Sequence, residues 1–266
     1  MKIYISADIE GVTGTTHPDE ANKKQEDYKE FREQMTAEVA AACEGALAAG
    51  AKEVWVKDAH WTGRNIIASK LPREVRLVRD WSKHPYMMMQ ELDESFDAAL
   101  MVGYHSRAAS DGLPLAHTLS GSVAHVKVND RYASEFRISS YTAGLVRVPV
   151  VFLSGDAGVC EEARAFISGV GIVPVMRGVG SSTVSIHPGL AVERIRAGVE
   201  EALKGDLTRC RVELPAHFSI ELRYKQHANA YAAGFYPGAR LHDPYTVLFD
   251  AGDWFDVLRF FLFAID

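Results

Sequence analysis

The first eleven residues constrain this chain most. The apolar run Ile3-Tyr4-Ile5 has the continuous hydrophobicity of a buried strand, and Ser6-Ala7-Asp8-Ile9-Glu10-Gly11 comes where that strand should end. Strand positions i and i+2 point to the same side of a sheet, so Asp8 and Glu10 are expected to converge at its carboxyl edge. Open α/β sheets place their sites at that edge. Two converging carboxylates repel unless a proton or a cation lies between them, and a divalent metal is the natural solution.

The rest of the chain supplies the alternation such a sheet needs. A polar stretch, Thr13 to Gln25, reads as a loop beside the carboxylates and a candidate lid or wall. Helical periodicity runs from about Asp27 to Ala49 and stops at Gly50. Strands are predicted over 53–57, 75–78, 96–102, 124–128 and 148–153, with a helix through Met88 to Leu92. Alternating strands and helices with short turns indicate an α/β fold with a mainly parallel sheet. After about residue 180 the pattern changes. A helix over 191–203, strands over 210–214, 218–222 and 246–250, and a closing helix over 254–264 read as α+β. We therefore expect a three-layer, Rossmann-like catalytic domain over 1–180 and a smaller α+β domain over 181–266. Trp254, Phe255, Phe260, Phe261 and Phe263 give the closing helix a strongly aromatic surface, available for core packing or for assembly.

Composition excludes several classes. The formal net charge is −6 with no long basic run, which argues against a nucleic-acid partner. No apolar run approaches the roughly 18 residues of a membrane span. The N-terminus enters a strand with no basic region, apolar core or cleavage site before it, so a cytoplasmic protein is expected. Cys43, Cys160 and Cys210 are too few and too scattered for a cysteine zinc site, and suit a reducing compartment.

Histidine follows the second and fourth strands as the carboxylates follow the first: Lys57-Asp58-Ala59-His60 and Gly103-Tyr104-His105. In a parallel sheet, Asp8, Glu10, His60 and His105 all gather at one edge. Carboxylates mixed with imidazoles bind zinc or a similar metal. Glu135, after the turn Asn129-Asp130-Arg131, adds a third carboxylate. Five ligands exceed what one tetrahedral zinc takes and suit two ions sharing a carboxylate. Taken singly, each residue has an ordinary reading: a turn cap for Asp8, a core histidine for His60 or His105, a solvated side chain for Glu135. Their conjunction at strand ends carries the inference.

These residues also fall in ordered motifs. The chain resembles the DppA-like D-aminopeptidases, a family of two-zinc metallopeptidases. Its Ser-x-Asp-x-Glu-Gly stands here as Ser6 to Gly11, and its Asp-Ser-His with a downstream Asn as Asp58-Ala59-His60 with Asn65. Gly103-Tyr104-His105-Ser106-Arg107-Ala108, His117-Thr118, Asn129-Asp130-Arg131 with Glu135, and Gly155-Asp156 match further family motifs in order. The resemblance implies that Asp8 bridges two zinc ions, that Glu10, His60, His105 and Glu135 complete the ligands, and that His117 is catalytic. It implies removal of the N-terminal residue from short D-amino-acid peptides by a dimetal-activated water, and a homodecameric ring. Arg107 is a candidate for holding a substrate carboxylate, and Asp58 for supporting a ligand histidine.

One stretch departs from the family. Glu135 is followed by Phe136-Arg137-Ile138-Ser139-Ser140 where members carry Gly-x-Asn-Ala. A helix over about 133–146, capped by Ser134, puts Ser139 one turn from Glu135 and makes it a candidate substrate contact. Met87-Met88-Met89 reads as core filling, and Gly178-Val179-Gly180 lacks the lysine of a phosphate loop. There is no Gly-x-Ser-x-Gly elbow, which argues against a serine hydrolase. The competing functions are a dimetal amidohydrolase on another amide and a peptide-binding accessory protein without turnover.

Overall fold

The computed structural model describes residues 1–265. Its strands are β1 (Lys2–Ala7), β2 (Glu53–Asp58), β3 (Val75–Val78), β4 (Ala98–Tyr104), β5 (Val123–Val128), β6 (Arg131–Tyr132), β7 (Val150–Asp156), β8 (Gly171–Val179), β9 (Ser182–Ser185), β10 (Phe218–Tyr224), β11 (Ala239–Asp243) and β12 (Thr246–Ala251). The helices are α1 (Pro18–Ala21), α2 (Tyr28–Ala48), α3 (Glu135–Leu145), α4 (Ala157–Phe166), α5 (Pro188–Lys204), α6 (His227–Ala233) and α7 (Trp254–Ala264).

Seven strands form one sheet in the order β3-β2-β1-β4-β7-β8-β9, parallel except for the terminal β8–β9 hairpin. β1 and β4 are almost wholly buried because both of their faces are covered. From β1 the chain crosses to β2 on one side, whereas β4 leads to β7 and β8 on the other. The order therefore reverses between β1 and β4, and the crevice beyond that reversal is where a doubly wound sheet leaves room for a ligand. The register puts Ala7 opposite both Asp58 and Val102, so the three strands end nearly level with one another.

A second, antiparallel sheet has the order β11-β12-β10-β5-β6. The two sheets interleave along the chain. β5 and β6 precede β7 yet belong to the sheet completed after residue 218, while α5 follows β9 and packs on α2. Asn129 and Asp130 both have positive φ (51° and 63°), which is the tight turn that joins β5 to β6.

Two apolar cores meet across α3. Phe136 and Ala143 face the core of the parallel sheet, and Ile138 and Tyr141 face the other. In that second core the Trp254 ring lies 4.9 Å from Tyr141 and 5.0 Å from Phe218, and its indole N–H donates to Thr142 Oγ1 at 3.1 Å. The aromatic residues of α7 are thus largely internal: Trp254, Phe260 and Phe261 are buried, and Phe263 is well exposed, at 74%.

The mixed α/β architecture and the parallel sheet agree with the sequence expectation. Four local expectations differ, the first being the Thr13 to Gln25 loop, which holds the short helix α1 capped by His17. Residues 210–214 form no strand; Leu207–Cys210 is a 3₁₀ turn that tucks Cys210 into the first core. Met88–Leu92 makes one 3₁₀ turn, Met87–Met89, rather than a helix. The hairpin β8–β9 escapes the sequence pattern, because Pro174 and the glycines Gly171, Gly178 and Gly180 interrupt its apolar run.

Candidate metal centre

Asp8 and Glu10 do converge, but not by strand alternation. β1 ends at Ala7, and the chain turns sharply through 8–12, with Val12 N–H donating to Ile9 O and Gly11 N–H to Gly103 O. This turn is pressed onto the end of β4. A Cβ on Gly11 would lie 1.8 Å from Tyr104 O, and one on Gly103 (φ +71°) only 2.3 Å from Asp8 O. Glycine at both places lets two ligand-bearing chain ends touch.

His60 lies two residues beyond β2, in a loop held by buried polar bonds. Asp58 accepts from Asn65 N–H (2.5 Å), Asn65 Nδ2 (2.7 Å) and Ile66 N–H (2.8 Å), and Asn65 Nδ2 also donates to His60 O. His105 follows β4 directly. Asp156, at the end of β7, accepts from Ser106 N–H (2.6 Å) and Ser106 Oγ (2.5 Å) and also caps α4, so the Gly155-Asp156 motif anchors the His105 turn. Glu135 opens α3, whose Ser134 cap accepts from Arg137 N–H as expected. Thr118 Oγ1 accepts from Ala108 N–H and donates to Ala133 O, fixing the loop that carries His117.

The functional atoms then meet. His60 donates through Nε2 to Ala21 O (2.8 Å), which leaves Nδ1 2.9 Å from Glu10 Oε2 and 3.2 Å from Asp8 Oδ1. The polar segment after Gly11 thus walls the site through Ala21. His105 donates through Nδ1 to Ser106 O (2.9 Å), and its Nε2 faces Glu135 Oε2 (3.3 Å) and Asp8 Oδ2 (3.5 Å). Asp8 therefore presents one oxygen to each imidazole. The His117 ring stacks on His105 with centroids 4.3 Å apart. Its Nδ1 donates to Leu115 O, and its Nε2 lies 3.6 Å from Glu135 Oε1.

Asp8, Glu10, His60, His105 and Glu135 are all buried, whereas His117 is partly open to a cavity of about 580 Å³. Burial and the nearby Glu10 push the Asp8 carboxyl well above the usual carboxylate range. Burial opposes the charged forms of the other four as well, but pairing wins. His60 holds Glu10 well below its ordinary value, and His105 lowers Glu135 in the same way. In return Glu10 and Glu135 drive His60 and His105 well above the ordinary imidazole range.

The donor set fits a divalent metal. Glu10 Oε2 and His105 Nε2 are fully buried and point into the cluster with no aligned hydrogen-bond partner, a costly arrangement unless something sits among them. Two groups, Asp8–Glu10–His105 and His105–His117–Glu135, each bring ligand atoms within 4.8 Å of one another. His60 and His105 each donate their other ring nitrogen to a backbone carbonyl, the arrangement that fixes the tautomer at metal sites.

Arg107 and Ser139 are not brought to this cavity. Arg107 donates to Ala108 O and Ala109 O and covers the Tyr132 ring at 4.3 Å, in a separate groove. Ser139 is buried behind the site, 3.4 Å from the Tyr104 hydroxyl. One helical turn from Glu135 points it into the β4 packing rather than toward the opening. Sequence reasoning misses Trp61, Trp81, Ser120 and Phe261, which line the cavity. Of these, Trp61 alone carries a signal, its position next to His60.

A family model described as D-aminopeptidase matches residues 1–263. A D-aminopeptidase of Bacillus subtilis (strain 168) is 29% identical over 261 residues, covering 97% of this chain and 94% of that protein. The structure of the Zn-dependent D-aminopeptidase DppA from Bacillus subtilis, described as a self-compartmentalizing protease, superposes with a TM-score of 0.94 at 27% identity. The match covers 99% of this chain and 96% of that one.

The site makes one prediction on its own terms. Zinc binds neutral imidazole and ionised carboxylate. Without metal, His60 and His105 hold protons near neutral pH, because both are raised well above the ordinary imidazole range. Zinc uptake should therefore expel about two or more protons per chain, and apparent affinity should rise with pH. Calorimetric titration of zinc into the metal-free protein, in buffers of differing ionisation enthalpy, measures this. Heats independent of the buffer contradict it.

Proposed function

From the premise that this chain belongs to the D-aminopeptidase family, we infer that it is a zinc-dependent aminopeptidase that removes the N-terminal residue from short peptides containing D-amino acids. The observation that carries the site assignment is the convergence of Asp8, Glu10, His60, His105 and Glu135 where the sheet order reverses. Three carboxylates and two neutral imidazoles carry a formal charge of about −3, which burial does not tolerate uncompensated. Two divalent ions offset it with one positive charge to spare. Asp8, with one oxygen toward each imidazole, is assigned as the shared ligand, with Glu10 and His60 on one side and His105 and Glu135 on the other.

When bound, the zinc ions would supply a water acidified to a pKa of roughly 7 and Lewis acidity toward the scissile carbonyl. The chain's own residues do the rest. His117 is the one cluster histidine partly open to the cavity, and the Leu115 carbonyl fixes its tautomer with Nε2 free. From there Nε2 takes a proton from the attacking water and delivers it to the leaving amine. Glu135 Oε1, 3.6 Å away, stabilises the imidazolium between those transfers.

The test is hydrolysis of matched D- and L-dipeptides with and without chelator. D-peptides should be cleaved, activity should vanish on chelation and zinc should restore it. His117→Ala should keep its zinc and lose roughly 10²-fold or more in kcat. Undiminished activity in a metal-free preparation, or full turnover by His117→Ala, contradicts the assignment.

Assembly into a ring, decameric as the resemblance implies, is the second part of the proposal. Tyr231, Phe235 and Phe263 are 63%, 72% and 74% exposed, aromatic surface that contact with a second copy would cover. Light scattering should report a large homo-oligomer, and a monomer at micromolar concentration would exclude the ring.

A further inference from the structure

Beside the acidic cluster, the cavity has a second lining that no metal ligand explains: Trp61, Trp81, Met87, Leu119, Phe261 and Ile265. Trp61 follows the ligand His60 directly and is 49% exposed, an unusual position for an indole that serves only packing. Its backbone is left-handed (φ +40°), as are those of Asp80 (+62°), Lys83 (+65°) and Met87 (+45°), none of them glycine. Strained backbone of this kind persists where the surroundings over-determine it, and it clusters at ligand clamps.

The surroundings here do over-determine it. Trp81 Nε1 donates to Trp61 O at 2.7 Å, Asp80 N–H to Gly63 O at 2.8 Å, and Gly63 N–H to His60 O at 2.8 Å. Gly63 is itself left-handed and packs so closely on Asp80 that a Cβ would lie 2.7 Å from its nitrogen. Beneath Trp81 lies a fully buried lysine. Lys57 Nζ sits 4.1 Å from the Trp81 ring centroid and donates to Asp80 O at 2.5 Å, and burial pulls its pKa down to about 8. The two indoles are thus stitched to each other and to the loop that carries His60.

We propose that this aromatic wall is a side-chain subsite, and that the preferred substrates carry a large apolar, best aromatic, side chain on one of the two residues flanking the scissile bond. The inference rests on the aminopeptidase reading above and extends it to specificity. Two indoles, a thioether and aliphatic side chains recognise an aromatic ring by stacking, sulfur contact and exclusion of water. A cationic side chain is disfavoured, because Lys57 already holds one face of Trp81 and Lys83 lines the same cavity. About 580 Å³ lies within the range of small-ligand pockets, and a methyl side chain leaves most of it unfilled.

The experiment compares D-Ala-D-Ala, D-Phe-D-Ala and D-Ala-D-Phe with the wild type, Trp81→Ala and Trp61→Ala. The second variant alters a half-exposed residue and guards against misfolding of the first. Kinetic constants come from the zinc-loaded enzyme, and dissociation constants from tryptophan fluorescence of the metal-free protein. One phenylalanyl peptide should exceed D-Ala-D-Ala by at least about tenfold in kcat/KM and in affinity, and either variant should compress that ratio to within about threefold. Equal constants for all three peptides, or a preference that survives in both variants, overturn the subsite. Selective binding without turnover keeps the subsite and removes the aminopeptidase reading, whereas equal turnover of all three does the reverse.

Discussion

Asp8, Glu10 and Glu135 are buried together, and among the described residues no lysine or arginine pairs with any of them. Their charge is met by imidazoles and by two backbone donors, Ile9 N–H to Asp8 and Leu119 N–H to Glu135. Burial and Glu10 raise the Asp8 carboxyl, and Glu10 and Glu135 raise His60 and His105, so the cluster favours bound protons where no cation offsets its charge. Protons are a poor substitute, since they leave Glu10 Oε2 and His105 Nε2 without aligned partners. In the proposed site a pair of divalent ions would offset that charge. Removing one partner from such a cluster leaves an uncompensated buried charge, so its members stand or fall together.

The fold is arranged around this concentration of charge in a specific way. Parallel strands β1, β2 and β4 end nearly level, so residues distant in sequence arrive at one edge. Buried acceptors then lock the loops beyond β2 and β4: Asp58 for the His60 loop, Asp156 for the His105 turn. These carboxylates face backbone N–H groups rather than the cavity. Donor groups held this way would need little further ordering to bind a metal. Glu135 reaches the cluster by another route. α3 lies between the two cores, and its first residue, Glu135, reaches the cluster because the β5–β6 hairpin delivers the chain to that point. The second sheet thereby contributes to the site although its strands line none of it.

Legibility in the sequence divides along the same line. β1, β2 and β4 are read easily, because their continuous apolar runs suit buried strands, and Asp8, Glu10, His60 and His105 come with them. Strand alternation predicts the right Asp8–Glu10 pair for the wrong reason, since the pair is made by a turn that Gly11 and Gly103 permit. Glu135 is legible through its place among ordered motifs, since nothing local says that a helix start beyond a hairpin in another sheet returns to β1. Ser139 shows the limit of local spacing: it places Ser139 one turn from Glu135, while its position 3.4 Å from the Tyr104 hydroxyl depends on tertiary packing. Trp81 and Phe261 are invisible for a simpler reason, as an aromatic residue in a loop or an apolar helix looks the same whether it fills a core or lines a cavity.

The claim at the centre of this account is that the buried carboxylates and imidazoles are the two halves of one dinuclear site hinged on Asp8. X-ray diffraction from zinc-loaded crystals, recorded above and below the zinc absorption edge, tests it most directly. The account predicts two anomalous peaks per chain on either side of the Asp8 carboxylate, one beside Glu10 and His60 and the other beside His105 and Glu135. A single peak, or none, with His60 and His105 still paired to the carboxylates as in the metal-free cluster, would contradict it.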